Sequence, residues 1–185
     1  MFPVRSPEGR VRDEFAVRIE LLWDYPRSLP IVWETGGRIP STAARHMEAG
    51  SRACVLLPDA RWEEFPEGAA FIEFLEGPLH NFFLGQSVVD AGGDWPFGEW
   101  EHGGDGVRDY YRDLLGTDDD KVIMKTLGLI AKASLKVGWD CPCGSGRRLR
   151  RCCRMKIVEL RRKIRPEVAR SSLRHLRYES SRPKK

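Results

Sequence analysis

Val11-Arg12-Asp13-Glu14-Phe15-Ala16-Val17-Arg18-Ile19-Glu20-Leu21-Leu22-Trp23, closed by Asp24-Tyr25-Pro26-Arg27-Ser28-Leu29-Pro30, is the stretch on which the fold of the chain turns. Apolar residues recur at Phe15, Val17, Ile19 and Leu21, with polar neighbours between the last three. That two-residue period predicts a half-buried strand, because successive strand side chains point to opposite faces. Asp24-Tyr25-Pro26 stops it, and Leu29 to Glu34 predicts a second strand. Gly36-Gly37 and Ile39-Pro40 mark a loop, and Ala53 to Leu57 is a short apolar run between Gly50 and Pro58, consistent with a buried strand. Downstream the period lengthens. Phe71, Ile72, Leu75, Leu79, Phe82, Phe83 and Leu84 fall near helical spacing from Ala69 to Val89, with Gly77-Pro78 as a break or a second start. Asp105 to Leu115, Asp119 to Leu135 and Met155 to Leu176 also predict helices. Asp118, Asp119 and Asp120 complement the dipole at the start of the second of these. Strands first and helices after them predict an α+β fold, an antiparallel meander packed on helices.

Charge divides the chain more sharply than hydropathy does. Residues 1–120 carry 11 Lys+Arg against 23 Asp+Glu, a net of −12, whereas residues 121–185 carry 20 against 4, a net of +16. The expected organisation is therefore an acidic α+β body over 1–120 and a linking helix over 121–138. A cysteine module over 139–154 and a basic helix and tail over 155–185 follow. No apolar run approaches the roughly 20 residues needed to span a bilayer, and Met-Phe-Pro-Val-Arg-Ser-Pro-Glu lacks the apolar segment of a secretory signal. A cytoplasmic protein in a reducing compartment, without membrane contact, is the expectation.

Four of the five cysteines lie in Cys141-Pro142-Cys143-Gly144-Ser145-Gly146-Arg147-Arg148-Leu149-Arg150-Arg151-Cys152-Cys153. Zinc takes four soft or borderline ligands at the corners of a tetrahedron, and these 13 residues supply four thiols. Gly144 and Gly146 let the chain reverse between the two pairs, and the arginines favour thiolates over thiols. Four thiols leave no open coordination position, so the expected cofactor is one structural zinc on Cys141, Cys143, Cys152 and Cys153. Two disulfides are the alternative, and they require an oxidising compartment. The string resembles the SEC-C motif, a short zinc-binding segment that also ends the preprotein translocase ATPase.

Cys54 stands apart and reads in two ways. On composition alone it is a small hydrophobe on a buried strand. Its surroundings resemble the ubiquitin-conjugating enzymes: Asp24-Tyr25-Pro26-Arg27-Ser28-Leu29-Pro30 after an amphipathic strand, then His46 and Gly50. Cys54-Val55-Leu56-Leu57 follows, Trp62 lies eight residues beyond the cysteine, and a helix with an apolar face comes after it. The match covers about residues 12–85, and its pairing with a SEC-C segment resembles bacterial members of the class. The resemblance implies thioester chemistry, with Cys54 carrying a ubiquitin-like modifier received from an activating enzyme, His46 shaping the site and Trp62 buttressing it. Thiolate suits this because it is both a good nucleophile and a good leaving group.

The chain departs from that pattern at informative places. The family's His-Pro-Asn triplet becomes His46-Met47-Glu48, so a carboxylate replaces the oxyanion donor. The single asparagine, Asn81, or the neighbouring His80 is the candidate substitute. The family fold also opens with a helix and a strand where only about ten residues stand here. A non-catalytic adaptor is accordingly the alternative function. Glu101 and His102 read as surface or structural, and Trp95, Phe97 and Trp100 as capping the core. Arg161-Arg162-Lys163, Arg170, Arg174, Arg177 and Arg182-Pro183-Lys184-Lys185 read either as a solvated helix with a tail or as a contact for a protein, ribosome or nucleic acid. The basic segment lacks the interleaved aromatics that stack single-stranded bases.

Overall fold

The computed structural model describes residues 1–97, 104–136 and 138–181. It is α+β, with antiparallel sheets and helices, and it divides into two units, Met1–Glu99 and Trp100–Lys185.

In the first unit, β1 (Phe2–Arg5) and β2 (Val11–Phe15) form a hairpin. The amphipathic stretch runs on into β3 (Val17–Glu20), which pairs antiparallel with β4 (Ile31–Glu34). Short β5 (Met47–Glu48) and β6 (Arg52–Ala53) complete a sheet of order β3-β4-β6-β5. The one expected strand is thus two strands in two sheets, changing partner at Ala16. The alternation holds where it is used: Phe15 is buried, and Val17 and Ile19 pack on the same core. It ends there, since Leu21 is exposed and Trp23 is 96% exposed on a turn. The apolar run expected as a strand from Ala53 keeps only its first residue in β6, leaving Cys54 just outside the ladder.

A 3₁₀ turn precedes α1 (Arg61–Glu64), and α2 (Phe71–Phe74) leads through a π-helical turn at Leu75–Leu79 into α3 (His80–Asp90). Gly77-Pro78 lies within that turn. Proline has no N–H and crowds the carbonyl four residues back, so the helix widens there instead of stopping. This helical stretch presents Phe74, Leu79, Phe82 and Phe83 to Val4, Phe15, Val32, Ile39, Met47 and Phe65. Phe83 sits 4.7 Å from Phe15 and 5.1 Å from Phe82, ring centre to ring centre.

Polar staples hold the rim of this core. Arg38 grips Asp13 with two hydrogen bonds of 2.6 and 2.7 Å and reaches Asp90 at 2.9 Å. Arg45 donates to Asp90 at 2.6 Å and to Gln86 at 2.7 Å. Buried Glu34 accepts the backbone N–H groups of Gly36 and Arg38, pinning the loop after β4. A Cβ at Gly36 would stand 2.7 Å from that carboxylate, so a side chain there would require the carboxylate that pins the loop to shift.

The second unit is helical around a cysteine hairpin: α4 (Gly104–Leu115), α5 (Asp120–Ile130), α6 (Arg154–Lys163) and α7 (Pro166–Ser180). The Asp119 side chain accepts the Lys121 N–H at 2.8 Å and caps the start of α5. The expected helix to Leu135 stops at Ile130. There Arg161 of α6 donates to the carbonyls of Leu129, Ile130 and Ala133, and Arg170 of α7 donates to that of Ala131. The single basic helix expected from Met155 to Leu176 is two. Ile164 and Arg165 are extended, because the residue before a proline is pushed out of the helical region, and Pro166 opens α7. Among the described residues no helix is long and apolar enough to cross a membrane.

Candidate metal centre

The cysteine segment folds as a tight hairpin. Asp140 bridges antiparallel to Arg148, the Cys141 N–H donates to the Arg147 carbonyl at 2.9 Å, and the Leu149 N–H donates to the Trp139 carbonyl at 2.7 Å. Between these rungs Gly144 and Gly146 take φ of 75° and 70°, a left-handed conformation that a side chain resists. A 3₁₀ turn at Leu149–Arg151 then brings Cys152 and Cys153 back beneath the first pair, and Cys153 stands at the N-cap of α6. Buried Leu149 and Ile157 anchor the turn against Cys141, with Leu129 and Leu135 packed around them.

The four sulfurs lie within 4.8 Å of one another. Cys143 Sγ is 3.3 Å from Cys141 Sγ and 3.5 Å from Cys152 Sγ, and Cys152 Sγ is 3.7 Å from Cys153 Sγ. Four thiolates about 2.3 Å from a common centre stand about 3.8 Å apart along each tetrahedral edge. The set therefore fits a tetrahedral metal ion in donor type, number and spacing. All four are free cysteines, their sulfurs well beyond the roughly 2.05 Å of a disulfide bond.

Local groups prepare some of these thiols for ligation. The Ser145 hydroxyl holds Cys143 down at about 6 and lowers Cys152 as well. Arg147 Nη2 is 3.4 Å from Cys152 Sγ, a cation facing a prospective thiolate. Burial raises Cys141 and Cys153 above the usual thiol range, a shift that a bound metal's charge would oppose. Ser145 was not expected to take part; a hydroxyl between two glycines of a cysteine turn was its signal.

The other expected site residues are dispersed. Cys54 is exposed, and its backbone N–H donates to the His46 carbonyl at 2.8 Å. His46 itself has φ of 49° and turns its ring onto Trp95, 4.5 Å between centres. The group facing the Cys54 thiol is Glu48, 3.4 Å from Sγ. Desolvation by neighbouring atoms, followed by that carboxylate, pushes the thiol up to about 11. His80 is engaged elsewhere, its Nε2 3.0 Å from the Arg5 N–H of β1, and Asn81 is exposed on α3. Trp62 is half-buried in α1. Glu101, His102, Trp100 and the terminal Arg182-Pro183-Lys184-Lys185 lie outside the described residues.

No family model, curated protein or solved structure matches the chain.

Proposed function

We propose that this chain is a zinc-dependent docking protein, whose C-terminal unit is held by one structural zinc on Cys141, Cys143, Cys152 and Cys153 and presents cations to an anionic partner. The carrying observation is the convergence of four sulfurs within 4.8 Å on a hairpin rich in arginine. A closed Cys₄ set has no position for substrate or water, so the metal's part is to fasten the hairpin to α6. Likeness of the hairpin to SEC-C and of the body to ubiquitin-conjugating enzymes accords with a protein that brings two partners together. Chelation tests the zinc half. Stripping the metal should accelerate amide exchange over residues 138–160 and leave exchange within Met1–Glu99 unchanged. Unchanged exchange in both units contradicts the proposal.

A second reading makes the body a conjugating enzyme. The Cys54 thiolate attacks the thioester carbonyl held by an activating enzyme, a new sulfur–carbon bond forms, and the activating enzyme's thiolate leaves. Its support is the exposure of Cys54 beside the His46 backbone. Glu48 weighs against it, since its carboxylate disfavours both the thiolate and a developing oxyanion. A thiol-sensitive adduct with a modifier, abolished in Cys54→Ala, would establish this reading, and its absence with cognate partners leaves docking alone.

A further inference from the structure

A groove of about 580 Å³ runs between α5 and α7, lined by Lys121, Met124, Lys125 and Gly128 on one side and by Arg177, Ser180 and Ser181 on the other. The α5 residues stand three, four and seven positions apart, and Arg177 and Ser180 of α7 stand three apart with Ser181 at the C-cap, so each set forms one ridge at its helix. Lys121, Lys125 and Arg177 are exposed. Their side chains have no ion-pair partner among the described residues, unlike Lys163, which pairs with Glu159 at 2.6 Å, or Arg108, 3.2 Å from Asp120. Arg161 and Arg170 are likewise occupied, by the carbonyls ending α5. The floor between the cations is apolar. Met124 supplies a flexible thioether, and a Cβ at Gly128 would meet nothing within 4 Å, which leaves open space above the helix.

We infer that this groove is the docking site for an acidic segment of another protein, in which an apolar side chain flanked by Asp or Glu enters the floor while the carboxylates meet Lys121, Lys125 and Arg177. The inference rests on the docking function proposed above and names its site and partner chemistry. Charge complementarity fixes the sign of the partner, because no carboxylate of the described residues lines the groove. The apolar floor decides the class. A phosphodiester strand would satisfy the cations but leave Met124 without an apolar contact, and no aromatic side chain among the described residues lines the groove for base stacking. The volume is that of a pocket for a few residues, not for a folded surface.

The test uses the full chain, with its metal content measured on the same sample, and a fluorescein-labelled peptide bearing one leucine between glutamates. Fluorescence polarisation should show saturable binding that weakens at least about tenfold in Lys125→Glu/Arg177→Glu and is retained in Lys125→Arg. Exchanging the leucine for serine should weaken it severalfold. Equal binding by wild type and the double variant overturns the inference, as does tighter binding of single-stranded DNA of equal charge. Both exchanged positions are exposed, and circular dichroism of the variants verifies that the helices persist. Failure of the groove in metal-loaded protein counts against this site alone, whereas metal-free protein counts against the zinc-dependent function.

Discussion

Asp13 shows how much of the body's cohesion rests on single polar contacts. The Arg38 guanidinium grips both of its carboxylate oxygens, the Ser87 hydroxyl donates a further 2.7 Å bond, and together they hold the carboxyl down at about 2. A carboxyl depressed in the fold adds stability above its unfolded value near 4 and loses it as pH falls toward 2. Asp13→Asn should therefore cost on the order of 1–2 kcal/mol at pH 7 in urea unfolding, and the gap from wild type should close near pH 2. A pH-independent gap would contradict the assignment. Nothing in the sequence marked the role of Asp13, because its cation stands 25 residues later and across a loop. Cys54 illustrates the converse. Its position before Trp62 was legible, but the decisive neighbour is Glu48, brought to the thiol by the Glu48–Arg52 register of β5 and β6.

At the scale of elements, periodicity recovered what local physics controls. Phe15, Val17 and Ile19 alternate into the core as their spacing requires, and Phe74, Leu79, Phe82 and Phe83 share one helical face. Contacts between elements were not legible. Nothing in Asp119 to Leu135 marks Ile130 as the last helical residue, because the groups that satisfy the final carbonyls belong to Arg161 and Arg170. The separation of α6 from α7 is readable in Arg165-Pro166, since a proline disfavours the helical conformation of the residue before it. Arg161→Ala should destabilise the second unit by about 1–3 kcal/mol in thermal or urea unfolding, since it strips several carbonyls of a charged donor at once. A change within about 0.5 kcal/mol would show that solvent replaces the guanidinium at no cost.

For the whole molecule, the sequence announced an acidic part and a basic part with a sign change near Lys121, whereas the chain divides into its two compact units after Glu99. Charge and compactness follow different rules: α4 carries acidic residues yet packs with α5 and α7. The groove between α5 and α7 was likewise beyond the sequence. Lys121, Met124, Lys125 and Gly128 lie at helical spacing, but only the packing of α7 supplies the opposite wall with Arg177. The cysteine cluster was the most legible feature, because its four donors lie within 13 residues and little folding separates sequence spacing from geometry. The claim that joins these scales is that a metal holds the hairpin, and metal stoichiometry tests it most directly. Protein purified under reducing conditions should contain one zinc per chain at pH 7.5 by elemental mass spectrometry. It should release that zinc as protons compete for the thiolates on acidification, and hold substantially less in Cys141→Ser. Reduced protein that is free of metal, with the 138–153 hairpin as protected from exchange as α6, would contradict the account.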